Sequence, residues 1–298
     1  MTTLLFIGVG KMGLPMARHL QAAGHRVTAY DPSPERRALA VASGLAVATQ
    51  LSDVLPAAQR LFSSLPDDAA LRAVAGAISS HAPAGAIWVD TSTVSPEASR
   101  DAAASCAARG VACLRAPVSG NNTMAERAAL TVFASGDRTA YDAVEPLLAC
   151  WGPQRFYLGD AEQARFAKLA VNLLIVGTST MLAEALALGE RGGLDWAQLW
   201  QVVEASAAAS PIVKAKAPAL RNHDYTPTFT VEQMRKDVAL IRAAAHSLGV
   251  ATPVADVASA ALNHAAAVGE GGADYAVVIR HAQRAAALFA NPKESLNP

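Results

Sequence analysis

The sequence predicts an α/β chain in which a doubly wound, mostly parallel sheet is followed by an all-helical C-terminal domain. Three observations predict it. Strand-like apolar runs alternate with helix-like stretches through the first half. A glycine-spaced turn, Gly8-Val9-Gly10-Lys11-Met12-Gly13, directly follows the apolar run Leu4-Leu5-Phe6-Ile7. Strand signals stop near Gly159-Asp160, and long helical patterns punctuated by glycine take over.

The first element carries the most information. A run rich in Leu, Ile and Phe reads as a buried parallel strand. Three glycines at G-x-G-x-x-G spacing then turn the chain sharply, allow the backbone close to a pyrophosphate, and let the next helix sit against the sheet. That helix starts with good formers and an early Pro15, and its N-terminus offers unpaired N–H groups to phosphate charge. Arg26-Val27-Thr28-Ala29-Tyr30 reads as strand two. Asp31 follows it, eighteen residues after Gly13, where an acid accepts hydrogen bonds from the adenosine ribose. The pattern is that of a Rossmann-type dinucleotide turn. Gly8, Gly10, Lys11, Met12, Gly13 and Asp31 are therefore candidate cofactor residues. A carboxylate at 31 repels a 2′-phosphate, so NAD is expected, with NADP possible because Ser33, Arg36 and Arg37 lie close behind.

The remaining strands of the first half are read near 60–64, 86–90, 111–116, 130–134 and 155–158, with helices between them, such as 67–80 and 95–109. Strands as far as 116 are expected to be parallel and the later ones antiparallel additions. Asp160 reads as an N-cap with Gln163 three residues on. A helix then spans about 161–190, followed by helices near 195–207, 211–219, 231–247, 253–268 and 274–289, with Asn291 to Pro298 expected to fray. The domains are accordingly 1–161 for the dinucleotide and 162–298 for a helical domain.

Composition excludes several classes. The 298 residues carry 25 basic and 25 acidic side chains, so nothing points to nucleic acid or an anionic membrane. Cys106, Cys113 and Cys150 lack metal-ligand spacing and read as small buried hydrophobes in a reducing, cytoplasmic setting. The apolar stretch from Leu169 to Leu188 contains Asn172, Thr178, Ser179, Thr180 and Glu184, and reads as a buried central helix rather than a membrane span. The seven histidines form no metal-like cluster, and there is no nucleophile elbow or Walker motif.

Lys168 is the leading candidate for proton transfer. It lies early in the long helix near the domain boundary, with Asn172 four residues on, on the same face. A lysine there can donate a proton to a carbonyl oxygen or accept one from an alcohol, provided its pKa, about 10.4 in water, is tuned downward. The plain alternative is a solvated lysine on an amphipathic helix, which spacing alone favours. Ser119, Gly120 and Asn121 end a strand and can form a nest for a carboxylate, or simply an ordinary turn. Ser64-Leu65-Pro66 and Asp90-Thr91-Ser92-Thr93 end strands at the edge where open α/β sheets bind ligands. Both can equally introduce capped helices.

These blocks together resemble the β-hydroxyacid dehydrogenase family, the group of 3-hydroxyisobutyrate dehydrogenase and tartronate semialdehyde reductase. The resemblance rests on the glycine turn continued by Leu14-Pro15-Met16-Ala17 and Ala23-Gly24-His25. Asp90-Thr91-Ser92-Thr93-Val94-Ser95-Pro96, Ala116-Pro117-Val118-Ser119-Gly120, Lys168 with Asn172, and Lys236-Asp237 complete it. It covers nearly the whole chain. It implies Lys168 as general acid/base, Asn172 orienting substrate, Ser119 and Gly120 gripping its carboxylate, and Leu65, Pro66, Thr93 and Lys236 lining the cofactor. It also implies a homodimer or homotetramer and a small carboxylate substrate, a 3-hydroxy acid or its semialdehyde or keto acid. The chain departs from the family pattern at Arg115 (commonly Asp), Asn121 (commonly Gly), Glu162 and Ala164 (often Gly) and Val171 (commonly Asn). The alternatives are an NADPH-dependent imine reductase, a group that generally replaces the lysine, and a non-catalytic dinucleotide-binding module.

Overall fold

The computed structural model describes residues 3–288. The chain divides into two compact units, Met1–Leu169 and Ala170–Pro298. The sequence-based boundary at 161/162 marks where strands give way to helix; the division by contacts falls eight residues later, inside that helix. The expected fraying of Asn291 to Pro298 lies outside the described residues.

The first unit opens with β1 (Thr3–Ile7), α1 (Gly13–Ala22), β2 (Arg26–Tyr30), α2 (Pro34–Ala42), β3 (Ala46–Val47) and α3 (Leu51–Val54). Next come β4 (Arg60–Ser63), α4 (Asp68–His81), β5 (Ile87–Asp90), α5 (Pro96–Ala107) and β6 (Ala112–Arg115). These six strands form one parallel sheet in the order β3-β2-β1-β4-β5-β6. The order reverses between β1 and β4, the switch point at which open α/β sheets take ligands. Because every strand is parallel, the loops at 8–12, 64–67, 91–95 and 116–117 all leave from the same edge.

The core explains why these runs are strands. Successive side chains of β1 point to opposite faces, so Leu4 and Phe6 enter one hydrophobic layer while Leu5 and Ile7 enter the other. The first layer packs Phe62, Val89 and Leu114 under α1 through Met16, Ala17 and Leu20. Phe6, Phe62 and Trp151 cluster there, with rings 5.4–6.4 Å apart, and Trp151 Nε1 donates to the Met16 carbonyl at 3.1 Å. The second layer sets Leu61 and Trp88 against α4 and α5. Caps place these helices. Asp67 Oδ1 accepts from Ala70 N at 2.8 Å, and Ser95 Oγ accepts from Ala98 N at 3.0 Å.

Beyond β6 the expectation of antiparallel additions needs correction. β7 (Val118–Ser119), β8 (Thr131–Ala134) and β9 (Gln154–Tyr157) form a separate three-stranded sheet, with α6 (Asn122–Glu126) and α7 (Arg138–Leu148) between them. β7 and β8 are antiparallel, but β8 and β9 are parallel because α7 supplies a crossover. A single antiparallel bridge, Arg115 to Ser135, links the two sheets.

α8 (Gln163–Arg191) begins in the first unit and ends in the second. It starts at Gln163, so Asp160 is not its N-cap. Gln163 Oε1 instead accepts from Ala161 N at 2.8 Å. α9 (Trp196–Ala205), α10 (Pro211–Arg221), α11 (Val231–Ser247), α12 (Pro253–Ala267) and α13 (Val278–Leu288) follow. α11 opens on a full capping box between Thr230 and Gln233. α8 is long and apolar enough, by length and composition, to cross a membrane, and the expectation of a buried helix holds for part of its surface only. Leu174, Met181 and Leu188, spaced by seven residues, are 71%, 62% and 75% exposed. The three cysteines are free thiols, and burial pushes that of Cys106 up to about 11.

Phe62→Ala empties the middle of the aromatic cluster and is expected to cost about 3–5 kcal/mol by urea unfolding, as for other buried aromatic truncations. Leu39→Ala, on the exposed side of α2, is expected to change stability by less than about 0.5 kcal/mol.

Candidate active site

The glycine turn is built as a phosphate cradle. Gly8 has φ +86°, and a Cβ there would stand 2.3 Å from the Ser64 carbonyl oxygen, so β1 and β4 cannot lie this close with any other residue. A Cβ on Gly13 would fall 1.9 Å from the Gly8 carbonyl oxygen, which fixes how closely α1 approaches the strand. Gly10 meets nothing within 4 Å. Its missing side chain therefore serves no internal packing and leaves the backbone open to an outside group. These are the three distinct duties that a dinucleotide turn asks of its glycines. Lys11 is exposed and Met12 half-buried at the mouth of α1.

Asp31, 8% exposed, closes the other side of the turn. Its Oδ2 accepts from Val9 N and its Oδ1 from Ser33 N, both at 2.9 Å. Two of the three neighbours that could have welcomed a 2′-phosphate, Arg37 and Ser33, are engaged elsewhere. Arg37 Nη1 donates to the Asp31 and Pro32 carbonyls at 2.8 and 3.0 Å. Ser33 Oγ caps α2 and donates to Glu35 at 2.6 Å.

A buried polar cluster lies at the ends of β4 and β5. The Asp90 carboxylate is fully buried. Its Oδ1 accepts from Ser63 Oγ at 2.5 Å and Ser92 Oγ at 2.7 Å. Its Oδ2 pairs with Arg165 Nη2 at 2.6 Å. Ser63 Oγ accepts from Trp88 Nε1 at 2.8 Å, and Ser92 Oγ accepts from Leu65 N at 2.8 Å. The cluster thus pins the Leu65-Pro66 turn. Leu65 and Thr93 are half-buried beside it, and Pro66 is exposed.

Arg165 is the residue that sequence reasoning missed. It lies on the first turn of α8, 2% exposed, and also donates to the Ser92 carbonyl at 2.6 Å and Ser99 Oγ at 3.1 Å. A charge set between Ala164 and Phe166 at the helix start was the available signal. Its partners, 66 to 75 residues away, were not readable from spacing. Lys168 follows one helical turn later and is only 9% exposed. It is not the solvated lysine that spacing alone favoured.

Two departures from the family pattern meet. Arg115, at the end of β6, donates through Nε to Glu162 Oε1 at 2.8 Å and through Nη2 to the same oxygen. Both side chains are nearly out of solvent. The reversed charge at 115 is therefore matched by the carboxylate at 162. Asn121 has a local use as well: its Oδ1 accepts from Met124 N at 3.0 Å and caps α6. Ser119 is half-buried on β7 and Gly120 exposed beside it.

Within the second unit, Asn172 on α8 and Asp237 on α11 are both buried, and Asn172 Nδ2 donates to Asp237 Oδ2 at 2.7 Å. Lys236 Nζ lies 3.1 Å from Asp237 Oδ1 as an ion pair. Asn172, Lys236 and Asp237 thus form one group. Asp237 is the member that orients the amide, since a carboxylate can only accept and so selects the nitrogen.

Comparison with known proteins decides the family. The model of the NAD binding domain of 6-phosphogluconate dehydrogenase matches residues 3–159, and that of the NAD-binding domain of NADP-dependent 3-hydroxyisobutyrate dehydrogenase matches 163–282. The 3-hydroxyisobutyrate dehydrogenase of Pseudomonas aeruginosa is 34% identical over 278 residues, covering 87% of this chain and 90% of that enzyme. The chain belongs to the β-hydroxyacid dehydrogenase family. It is an NAD(P)-dependent oxidoreductase of CH–OH groups, and the glycine cradle described above fits that cofactor. The 2-(hydroxymethyl)glutarate dehydrogenase of Eubacterium barkeri is 30% identical over 279 residues, covering 92% of this chain and 93% of that enzyme. Among solved structures, a Mycobacterium tuberculosis 3-hydroxyisobutyrate dehydrogenase with L-serine superposes with a TM-score of 0.87 at 28% identity. It covers 94% of this chain and 99% of that one.

Glu162→Gln leaves the buried Arg115 without a charge partner and is expected to cost about 3–5 kcal/mol in chemical unfolding. Arg115→Met with Glu162→Met together should cost less than either single change. A double variant as damaged as the sum of the singles would show that the two side chains do not act as a pair.

Proposed function

We propose that the chain interconverts a small 3-hydroxy acid with its semialdehyde or keto acid, using NAD in preference to NADP and Lys168 as the general acid/base. One observation carries this reading. A buried lysine lies early in a helix whose first turn is bonded to the end of β5 and the loop after it, within the same compact unit as the dinucleotide turn.

The bound nicotinamide accepts or supplies the hydride. The glycine turn, with Lys11 and Met12, would receive the pyrophosphate, Asp31 the adenosine ribose, and Leu65, Pro66, Thr93 and Lys236 the remaining length of the dinucleotide. Lys168 would take the hydroxyl proton as the alcohol is oxidised, or return it to the oxygen as a carbonyl is reduced. Asn172, its amide fixed by Asp237, would hold the same oxygen. Ser119 and the backbone at Gly120 and Asn121 would hold the carboxylate, with the Asn121 side chain kept aside by its cap on α6. Fixing the carboxylate and the hydroxyl together leaves the carbinol carbon little freedom, so positioning supplies much of the rate. The relatives' names span several hydroxy acids, and no single acid among them is carried over to this chain. The exposed apolar row Leu174, Met181 and Leu188 supports a homodimer or homotetramer. A balanced charge and free thiols support a cytoplasmic setting.

The test is a panel of 3-hydroxy acids assayed with NAD and NADP. Lys168→Ala is expected to lower kcat by at least about 100-fold. Turnover that survives this substitution unchanged removes the proton-transfer role. Asp31→Ala, which lifts the repulsion of a 2′-phosphate, is expected to narrow the NAD preference by about tenfold, an effect of about 1.4 kcal/mol. An unaltered ratio of kcat/KM for the two cofactors would place the discrimination elsewhere.

A further inference from the structure

We infer that Arg165 is a positioning residue for catalysis. Its guanidinium locks the lysine-bearing turn of α8 to Asp90, the same anchor to which Ser92 ties the Leu65-Pro66 turn. The inference rests on Lys168 being the general acid/base and adds the device that aims it.

The geometry is specific. Three bonds leave the guanidinium in one plane: Nη2 to Asp90 Oδ2, Nη1 to the Ser92 carbonyl, both at 2.6 Å, and Nε to Ser99 Oγ at 3.1 Å. A rigid fork held at three points fixes both the height of α8 along its axis and its rotation about that axis. Lys168, three residues on, lies on the same face of the helix and inherits that placement. The anchor is itself held. Asp90 is held by Ser63 and Ser92, Ser63 is held by Trp88, and Ser92 Oγ also accepts Leu65 N. Through Ser92 the turn placed at the cofactor and the helix placed at the proton transfer share a single support.

Stability does not account for this arrangement. Burying an ion pair repays little over a well-packed apolar pair of similar volume, and the first turn of a helix can be held by apolar contacts. The guanidinium supplies direction, at five N–H positions of fixed geometry. Direction matters here because a small displacement of the proton donor from the reacting oxygen lowers the rate without unfolding anything.

Four variants test the proposal: Arg165→Lys, Arg165→Met, Lys168→Ala and Val144→Ala. Val144 is buried in α7, outside the site, and serves as a control for lost stability. Readouts are the thermal midpoint, NAD affinity by calorimetry, and kcat as a function of pH. Arg165→Met is expected to lower kcat by about tenfold to 100-fold and to displace the pH limb of kcat, with NAD affinity within about threefold of the starting protein. Arg165→Lys, which can reach Asp90 but not all three acceptors, should recover part of kcat. Should Arg165→Met fail to fold, Arg165→Lys carries the test alone, with a kcat between those of the parent and Lys168→Ala. Arg165→Lys with the parent kcat and pH profile overturns the proposal. So does a kcat loss that Val144→Ala reproduces at equal residual stability, because Arg165 is then only structural. Lys168→Ala with full turnover overturns the general acid/base reading and the positioning role together. Lys168→Ala inactive beside a fully active Arg165→Lys overturns the positioning role alone.

Discussion

The buried carboxylate of Asp90 is the constraint on which the site depends. It stands at the end of β5 with no access to water, so each oxygen must be satisfied by the protein. Ser63 brings the end of β4 to it, Ser92 brings the loop after β5, and Arg165 brings the start of α8. Three chain segments distant in sequence therefore converge on one group at the edge where the sheet order reverses. A parallel sheet alone delivers loops to that edge without fixing them. The buried acid turns several adjacent loops into one rigid fitting, and low local dielectric makes each of its bonds costly to break.

The same logic explains the second pair. Where the family pattern commonly has an acid before Ala-Pro-Val-Ser-Gly and often glycine ahead of the lysine, this chain has Arg115 and Glu162. Either substitution alone would bury an uncompensated charge. Together they bond the end of β6 to the segment that leads into α8. The approach to Lys168 is thus held twice, once from β5 and once from β6. A flexible glycine lead-in is replaced by a charged one without loss of closure.

What the sequence disclosed follows from the range of each interaction. The glycine turn, Asp31 and the alternation of strands and helices were legible because their physics is local: hydrogen bonding to a tight turn, and side chains alternating across a strand. β3 and β7 were not legible, because two residues carry no period, and α7 made β8 and β9 parallel where local pattern could not tell. Asp160 looked like a cap, but the helix begins at Gln163. The family blocks located Lys168 and Asn172, yet their supports lay hidden. Arg165 meets Asp90 across 75 residues and Asn172 meets Asp237 across 65, and no spacing rule spans such distances.

Asn121 shows how a departure from a family pattern can serve the fold locally. It stands where the family pattern commonly has glycine and so no side chain. The side-chain carbonyl oxygen caps α6, which settles the side chain against its own helix. A cap is a short-range commitment. Rotation of the side chain would expose an uncapped helix start. Residues that tune the choice of substrate are therefore more usefully sought among groups with no internal partner to satisfy than among those that merely differ in type from their relatives.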